Sequence, residues 1–419
     1  MSEAKLLCLS NGHGEDAIAL RILKELQQHP SHPKLAALPL VGEGHAFAYS
    51  GISLAGPVKQ MPSGGFIYMD GRQFGRDLKS GLLQLTLAQL NTVKQWARSG
   101  GTILAVGDIV PLLFAWWSGA PYAFVGTAKS EYYLRDEVGL LPRPSWFDQL
   151  ESWSGSVYLP WERWLMSRRR CKAVFPRDRL TTQFLNRWRI PAFDLGNPMM
   201  DGLALPDGST AYSPDAPDHI MTILLLPGSR APEAYANWEL ILQAVQSVIE
   251  SQRGRRLQLL TAIAPSLDTA PLIQAIAAYG WQADTPILST PDPAAALQFS
   301  QGRATLSLSS DFVSGLHQSD FAIAMAGTAT EQFVGLGKPA ITIPGKGPQF
   351  TPAFAEAQTR LLGPSAIMVK QPAQVAAVID ALLQDPDRLH LISDNGQRRM
   401  GAPGAAQRIA HCLIEQLGY

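Results

Sequence analysis

The chain has 419 residues, of which 46% are hydrophobic and 17% are charged, and its formal net charge is zero. This length exceeds what one hydrophobic core usually supports, so it predicts two globular domains of about 200 residues each. No run of about 18 apolar residues occurs, and residues 1–5 lead directly into a strand pattern, which argues against a membrane span and a signal peptide. We therefore expect a cytoplasmic protein, either soluble or peripheral to a membrane.

The zero net charge conceals an uneven distribution. Residues 1–200 contain 22 Lys and Arg against 16 Asp and Glu, whereas residues 201–419 contain 13 against 19. Much of the basic excess lies between Arg163 and Arg189, where nine basic residues accompany one acid. We therefore expect the two halves to meet different partners. Three widely spaced cysteines without a CxxC pattern indicate neither a disulfide framework nor a zinc site.

Strand and helix patterns alternate along the first half. A strand at 6–9 is followed by a glycine-rich loop and a helix at 17–28. Further strands are predicted at 35–41, 102–106, 122–125 and 173–175, with a helix at 82–98. This alternation favours parallel βαβ units.

A second alternation follows a stretch rich in proline and aspartate. Its predicted strands lie at 221–226, 257–263, 321–325 and 340–343, and its helices at 238–252, 271–279, 372–383 and 404–417. We therefore predict an α/β fold of two Rossmann-like, doubly wound domains that face each other across a cleft. The expected parts are a first domain at 1–201, a linker at 202–219, a second domain at 220–390, and a helical end at 391–419 that packs back on the first domain.

The segment Ala324–Gln332 (AMAGTATEQ) has the pattern of a phosphate site. An apolar strand ends in small residues, and a helix opens directly after the turn at Gly327. Glycine lets the backbone approach a ligand, and the first N–H groups of the helix favour an anion. Glu331 and Gln332 follow within reach of sugar hydroxyls beside such a phosphate. The alternative is an ordinary connection between a strand and a helix.

A second signal is the segment Leu224–Arg230 (LLLPGSR), followed by Glu233. The glycine and serine offer backbone and hydroxyl donors, and Arg230 supplies a permanent cation whose fork suits a diphosphate. Taken alone, Arg230 could be a surface arginine. Together with the turn at Gly327, it indicates a nucleotide-diphosphate site.

Three motifs carry a resemblance to a known family. The stretches 227–233 (PGSRAPE), 327–330 (GTAT) and 196–201 (GNPMMD) resemble motifs of lipid-A-disaccharide synthases, and they occur in the same order. The resemblance implies the two-Rossmann fold called GT-B, and inverting, metal-independent transfer from a UDP-sugar to a lipid-linked acceptor at the cytoplasmic face of a membrane. The chain departs from the family pattern at Gln332, where the synthases have Glu, and at Asn197, where they have His.

The resemblance also implies the members of the donor site. Partners would be a UDP-sugar and a lipid acceptor, with no further cofactor and no metal, since Asp385–Asp387 (DPD) precedes a helix as a cap would. The expected donor-binding residues are Gly228, Ser229, Arg230, Glu233, Gly327, Thr328, Ala329, Thr330, Glu331, Gln332 and Gln349.

The candidates for catalysis are His13, Glu15 and Asp108. His13 stands between two glycines at a strand-to-helix turn, and inverting transfer needs a base near neutrality. We predict that His13 is this base or orients the acceptor, with Glu15 or Asp16 fixing its tautomer. Asp108, at the end of a later strand, is the competing base or the N-cap of the next helix.

Tryptophan and arginine are interleaved between residues 153 and 189. Tryptophan settles at bilayer interfaces, and basic clusters are drawn to anionic lipid. The alternatives are a solvated basic helix with core tryptophans, or a nucleic-acid patch, of which we favour neither. The residues expected to meet the acceptor and the membrane are Trp161, Trp164, Arg168, Arg169 and Arg170.

Other functions remain open at this point. Gly12–Ala17 loosely fits a dinucleotide fingerprint, with Glu43 as the acid after the next strand, so an NAD(P)-dependent oxidoreductase is one alternative. A UDP-sugar epimerase and a non-catalytic nucleotide-sugar-binding regulator are two others.

Overall fold

The structure, a computed structural model, describes residues 4–58, 82–142, 153–203, 220–284 and 297–419. The chain forms two compact units, the first from residues 1–201 and 402–419 and the second from residues 202–401. Most of the linker expected at 202–219 lies outside the described residues. Each unit contains a doubly wound sheet with helices, so the predicted fold class of two Rossmann-like domains is confirmed.

The first unit is built on a six-stranded parallel sheet with the order β3-β2-β1-β4-β5-β6. Every residue of β4 and β5 is buried, which explains why their sequences are continuous apolar runs. The strands are β1 (Lys5–Ser10), β2 (Lys34–Pro39), β3 (Ser53–Leu54), β4 (Thr102–Gly107), β5 (Tyr122–Gly126) and β6 (Cys171–Phe175). The helices are α1 (His13–Gln28), α2 (His45–Tyr49), α3 (Leu82–Arg98), α4 (Ile109–Ser118), α5 (Pro160–Met166) and α6 (Arg179–Asn186).

The second unit has an eight-stranded sheet with the order β14-β13-β12-β7-β8-β11-β10-β9. Its strands are β7 (Met221–Leu226), β8 (Leu257–Ala262), β9 (Gln282–Ala283), β10 (Leu297–Gln301), β11 (Ala304–Ser309), β12 (Phe321–Ala324), β13 (Ala340–Thr342) and β14 (Ala366–Met368). Its helices are α7 (Glu233–Ser251), α8 (Ala270–Ala278), α9 (Phe312–Gln318), α10 (Thr328–Gly335), α11 (Pro352–Leu362), α12 (Gln374–Leu383) and α13 (Pro386–Met400). The antiparallel hairpin of β10 and β11, which the sequence patterns did not predict, makes one edge of the sheet mixed.

Strand order reverses at the same place in both sheets. In the first unit β1 lies between β2 and β4, and in the second unit β7 lies between β8 and β12. Ligands of doubly wound sheets bind beyond the carboxyl ends of the strands at such a switch point. The loops that matter are therefore those that follow β1, β4, β7 and β12.

The C-terminal helix α14 (Ala405–Leu417) belongs to the first unit, whereas α13 belongs to the second. The expected boundary at 391 falls inside α13, and the chain changes units only after Gly401. The apolar face of α14 shares a core cluster with α1. The Asp201 carboxylate accepts hydrogen bonds from the N–H groups of Gly404, Ala405 and Ala406 at 2.6, 3.1 and 2.7 Å. The last residue of the GNPMMD motif thus anchors the start of α14.

We predict that Asp201→Ala loosens α14. Loss of the three N–H contacts should cost about 2 kcal/mol locally, so amide exchange in peptides covering 404–417 should accelerate about 30-fold. Hydrogen-exchange mass spectrometry measures this directly, with Asp394→Ala, an exposed position of α13, as the control. Unchanged exchange over α14 would contradict the anchoring role.

Candidate functional site

Two loops of the second unit meet at the switch point of its sheet. β7 and β12 pair in parallel, and the Met325 N–H donates to the Leu226 carbonyl at 2.8 Å. Directly after β7, Gly228 has a φ of 101°, and a Cβ there would lie 3.3 Å from the Met325 carbonyl oxygen. Glycine permits both this turn and this close approach. The motifs at 227–230 and 327–330 are therefore neighbours in space.

The turn before α10 is fixed by side chains from two helices. The Thr330 hydroxyl donates to the Ala326 carbonyl at 2.6 Å, and the Gln358 amide of α11 donates to the carbonyls of Ala326 and Gly327 at 3.1 and 3.2 Å. The N-cap residue of α10, Gly327, provides no side-chain cap. Its backbone N–H groups and the positive end of its dipole therefore suit an anion.

Glu233, expected among the ligand-binding residues, is engaged with the protein itself. Its carboxylate is buried and accepts the N–H of Gln349 at 3.0 Å and that of Phe350 at 2.6 Å. A Cβ at Gly347 would lie 2.3 Å from the Glu233 carboxyl carbon, so the loop passes directly over this side chain. Glu233 holds the loop that presents Gln349, whose side chain is half-buried.

Asn237, which the sequence patterns did not reveal, and Gln358 both position these loops. The Asn237 amide donates to the Pro227 carbonyl at 3.0 Å and so holds the first loop. Asn237 lies one helical turn after Glu233, so the two side chains share a face of α7. This spacing is the signal in the sequence from which a positioning role for Asn237 could have been inferred. The Gln358 Oε1 atom is buried without a hydrogen-bond partner in the described part of the chain, so it can accept from a ligand or water.

The remaining predicted donor residues differ in exposure. Ser229, Arg230 and Thr328 are exposed, and Ala329 is half-buried. Glu331 and Gln332 are 8% and 7% exposed, so burial does not distinguish which of them meets a ribose. Both residues stay predictions for that contact.

The corresponding loops of the first unit also touch each other. After β4, Gly107 has a φ of 132°, and a Cβ there would lie 3.3 Å from the Cβ of Asn11 and from the Cγ of Glu15. Asn11 is 6% exposed, and its Oδ1 atom has no partner among the described residues. This orphaned acceptor at the switch point marks a place where a ligand or water hydrogen-bonds. α1 begins at His13, whose side chain lies outside the described residues.

Two carboxyl groups lie at this edge with raised pKa values. Burial raises the pKa of Glu15, as does the nearby charge of Asp108, and Thr127 donates to its Oε1 atom at 3.4 Å. Burial also raises the pKa of Asp108, as does the charge of Glu162, whereas Lys129 acts in the opposite direction. Groups of this kind can hold or accept a proton closer to neutrality than an ordinary carboxyl.

Asp108 and Asp16 also have structural roles. Asp108 is the N-cap of α4, because its Oδ1 atom accepts the Val110 N–H at 2.8 Å. Asp16 is buried and accepts a hydrogen bond from the Ser10 hydroxyl. The cap interpretation of Asp108 is therefore confirmed, and its role as a base stays a prediction.

Exposed tryptophans and cations lie together on the first unit. Trp161 and Trp164 of α5 are 55% and 44% exposed, and Trp164 packs edge-on against Trp116 of α4 at 5.3 Å between ring centroids. The Arg168 guanidinium lies 4.3 Å from the Trp164 ring, while Arg169 is exposed and Arg170 half-buried. We call this surface the tryptophan face; it consists of Trp116, Trp161, Trp164, Arg168 and Arg169.

Several features bear on other ligands. Among the described residues, no cluster of three or more His, Cys, Asp and Glu side chains is placed to hold a metal ion. Asp385 caps α13 through the Arg388 N–H at 3.0 Å. Glu43 lies beyond the end of β2, where its Oε2 atom is 2.7 Å from the Nε2 atom of His45.

Within the described ranges, no helix is both long and apolar enough to cross a bilayer.

Comparisons with known proteins identify the fold. No protein-family model and no curated protein matches the chain. Among solved structures, it resembles MurG from Acinetobacter baumannii, with 16% identity, a TM-score of 0.57 and 99% of both chains covered. It also resembles the calicheamicin glycosyltransferase CalG4, with 14% identity, a TM-score of 0.59, and 100% of this chain and 98% of the other covered.

A third similar structure is an enzyme of another class. The UDP-GlcNAc 2-epimerase from Neisseria meningitidis, solved with UDP-GlcNAc bound, has 14% identity, a TM-score of 0.54, and 98% of this chain and 100% of the other covered. At such low identity the likeness shows the fold alone. The chain therefore has the GT-B type of fold that the resemblance implied.

We predict that the charge of Asp108 contributes to the raised pKa of Glu15. Removing this charge in Asp108→Asn should lower the Glu15 pKa, because a like charge nearby disfavours the ionised form. Carbon-13 NMR titration of labelled glutamate, assigned with Glu15→Gln, measures the shift. The matched control is Asp194→Asn, at an exposed position of the first unit. A Glu15 pKa that stays fixed or rises in Asp108→Asn would contradict the pairing.

Proposed function

We propose that the protein is an inverting glycosyltransferase that moves a sugar from a UDP-sugar to a lipid-linked acceptor. The observation that carries the proposal is the contact between the loops after β7 and β12. It places the uncapped start of α10 beside the loop that ends in Arg230. A helix start and an arginine together provide the two kinds of group that bind a diphosphate.

In this reaction, negative charge develops on the departing UDP diphosphate. The α10 start and Arg230 would stabilise that charge where it forms, which is the largest single contribution in many enzymes. Gln349, held in place through the Glu233 carboxylate, would contact hydroxyls of the donor sugar. Either Glu331 or Gln332 would contact the ribose.

The acceptor hydroxyl needs a base, and the first unit offers candidates for it. Glu15 and Asp108 have raised pKa values at the switch point of its sheet, and His13 begins the adjoining helix. The buried Oδ1 atom of Asn11 would accept a hydrogen bond from the acceptor. The proposal assigns acceptor activation to this edge and donor binding to the second unit.

The lipid nature of the acceptor rests on the motif resemblance and on the tryptophan face. Half-exposed tryptophans with stacked cations suit the interface of an anionic bilayer, where the rings bury apolar area and the cations meet head groups. We therefore propose a peripheral enzyme at the cytoplasmic face of a membrane, related to lipid-A-disaccharide synthases.

An epimerase is the rival function, because the Neisseria UDP-GlcNAc 2-epimerase has the same type of fold as the glycosyltransferases. An epimerase would interconvert the UDP-sugar with no acceptor, whereas a transferase releases UDP only when an acceptor is present. The oxidoreductase alternative is less well supported, because Glu43 is placed beyond β2 and pairs with His45.

The diphosphate site is tested by Arg230→Ala. We expect UDP binding, measured by calorimetry, to weaken about 10- to 100-fold, the range of a lost charge-assisted contact, with Arg230→Lys intermediate. Arg388→Ala, at an exposed position of α13, is the control. UDP binding that is equally strong in Arg230→Ala and the wild type would overturn the assignment of this loop.

The ribose contact is tested with UDP and 2′-deoxy-UDP. The wild type should prefer UDP, and one of the variants Glu331→Ala and Gln332→Ala should lose that preference while still binding 2′-deoxy-UDP. The preference for UDP should fall about tenfold if the lost hydrogen bond involves the charged Glu331 carboxylate, and less if it involves the neutral Gln332 amide. If both variants keep the full preference for UDP, neither side chain binds the 2′-hydroxyl.

Membrane binding is tested on the tryptophan face. The double variant Trp161→Ala/Trp164→Ala should bind phosphatidylglycerol vesicles about tenfold more weakly in a flotation assay, because apolar area is no longer buried at the interface. Tyr49→Ala removes an aromatic ring that is 90% exposed elsewhere on the first unit and serves as the control. Equal losses in both variants would contradict a specific face.

A further inference from the structure

A cavity of about 350 Å³ lies at the amino-terminal edge of the second sheet, where β8 and β11 begin. It is formed by the end of α7, the turn that follows it, and the turn between β10 and β11. The loops after β7 and β12 lie at the carboxyl edge, and α7, with its 19 residues, runs about 28 Å between the two edges. The cavity is therefore separate from the proposed diphosphate site.

Three arginines line this cavity, and none of the residues that line it is acidic. Arg253, Arg255 and Arg303 are exposed, and no ion pair involves any of them in the described part of the chain. One donor of Arg303 is used, because Nη1 bonds to the Gly254 carbonyl at 2.9 Å and ties the two turns together. The second half of the chain is acidic, since residues 201–419 contain 13 Lys and Arg against 19 Asp and Glu. Three arginines at one cavity are therefore a local exception to the charge of this half.

The three guanidinium groups carry like charges around one cavity, so their potentials add there. A single cation would be enough to complement the carboxyl end of α7. An anion in the cavity interacts favourably with all three guanidinium groups, whose forks match phosphate oxygens.

The other walls are already satisfied within the protein. The Gln301 side chain accepts from Gln246 at 3.0 Å and donates to the Tyr279 carbonyl at 3.1 Å, and the Gln252 amide donates to the Asp380 carboxylate. The apolar lining consists of Ile249, Leu257 and Ala304, of which Ile249 is half-buried and the other two are buried. The arginines are therefore the polar groups that face a ligand, and the apolar lining suits a less polar part of the same molecule.

We propose that this cavity binds a small soluble molecule that bears a phosphate or diphosphate group on a less polar body. Its volume lies in the range of small-molecule sites in proteins. The arginines would bind the phosphate oxygens, and the rest of the molecule would lie against Ile249 and the arginine side-chain stems. This site is additional to donor binding and does not depend on the proposed transferase activity.

Inorganic pyrophosphate is the probe, titrated by calorimetry at constant ionic strength into the full chain carrying Arg230→Ala, which weakens the other diphosphate site. Arg255→Ala and Arg303→Ala should each weaken binding roughly tenfold, as expected for a charge-assisted contact. Arg256→Ala is the matched control, since Arg256 is exposed in the same turn but does not line the cavity. It should change binding less than twofold.

Three results would overturn the proposal. One is the absence of pyrophosphate binding at millimolar concentration in correctly folded protein. Another is an equal loss in Arg255→Ala and Arg256→Ala, which would indicate diffuse surface charge. The third is binding of phosphatidylglycerol vesicles that depends on Arg255 in the absence of pyrophosphate binding, which would assign the arginines to a lipid surface.

Discussion

The contact between Gly228 and Met325 is the constraint on which the proposed donor site depends. Parallel pairing of β7 with β12 brings the two loops to one point, where a Cβ at Gly228 would lie only 3.3 Å from the Met325 carbonyl oxygen and the φ of 101° favours glycine. Because the backbones touch, the Arg230 loop and the start of α10 can act on one anion. Asn237 and Gln358 then hold the two loops from different helices.

The same topology serves different chemistry in the two units. In the second unit, the switch point presents a helix start and a cation, which suit a leaving diphosphate. In the first unit, it presents two carboxyl groups with raised pKa values and the orphaned Asn11 acceptor, which suit a hydroxyl and its proton. Transfer of a sugar from a nucleotide to an alcohol would use both sets of groups, and these residue types are the basis on which we propose donor binding in one unit and acceptor activation in the other.

The sequence predicts the parts of this fold whose signals are local. Continuous apolar runs identified β4, β5, β7 and β12, and the glycine-containing motifs identified the loops that follow β7 and β12. The role of Glu233 could not be read in the same way, because its partner Gln349 lies 116 residues away and the bond exists only once the sheet has formed. The hairpin of β10 and β11 was missed, since short polar strands such as Ala304–Ser309 lack an apolar run. The Asp108 cap was foreseen as an alternative because capping depends on neighbouring residues.

The most direct test of the account is the fate of the sugar when the purified protein is incubated with UDP-GlcNAc, labelled in the sugar, and a bacterial lipid extract. If the protein is the proposed transferase, the label enters the lipid fraction with stoichiometric UDP release, neither occurs without the lipid, and Arg230→Ala slows both. Conversion of UDP-GlcNAc to an epimer without lipid, with no label in the lipid fraction, would contradict the transferase and establish the epimerase.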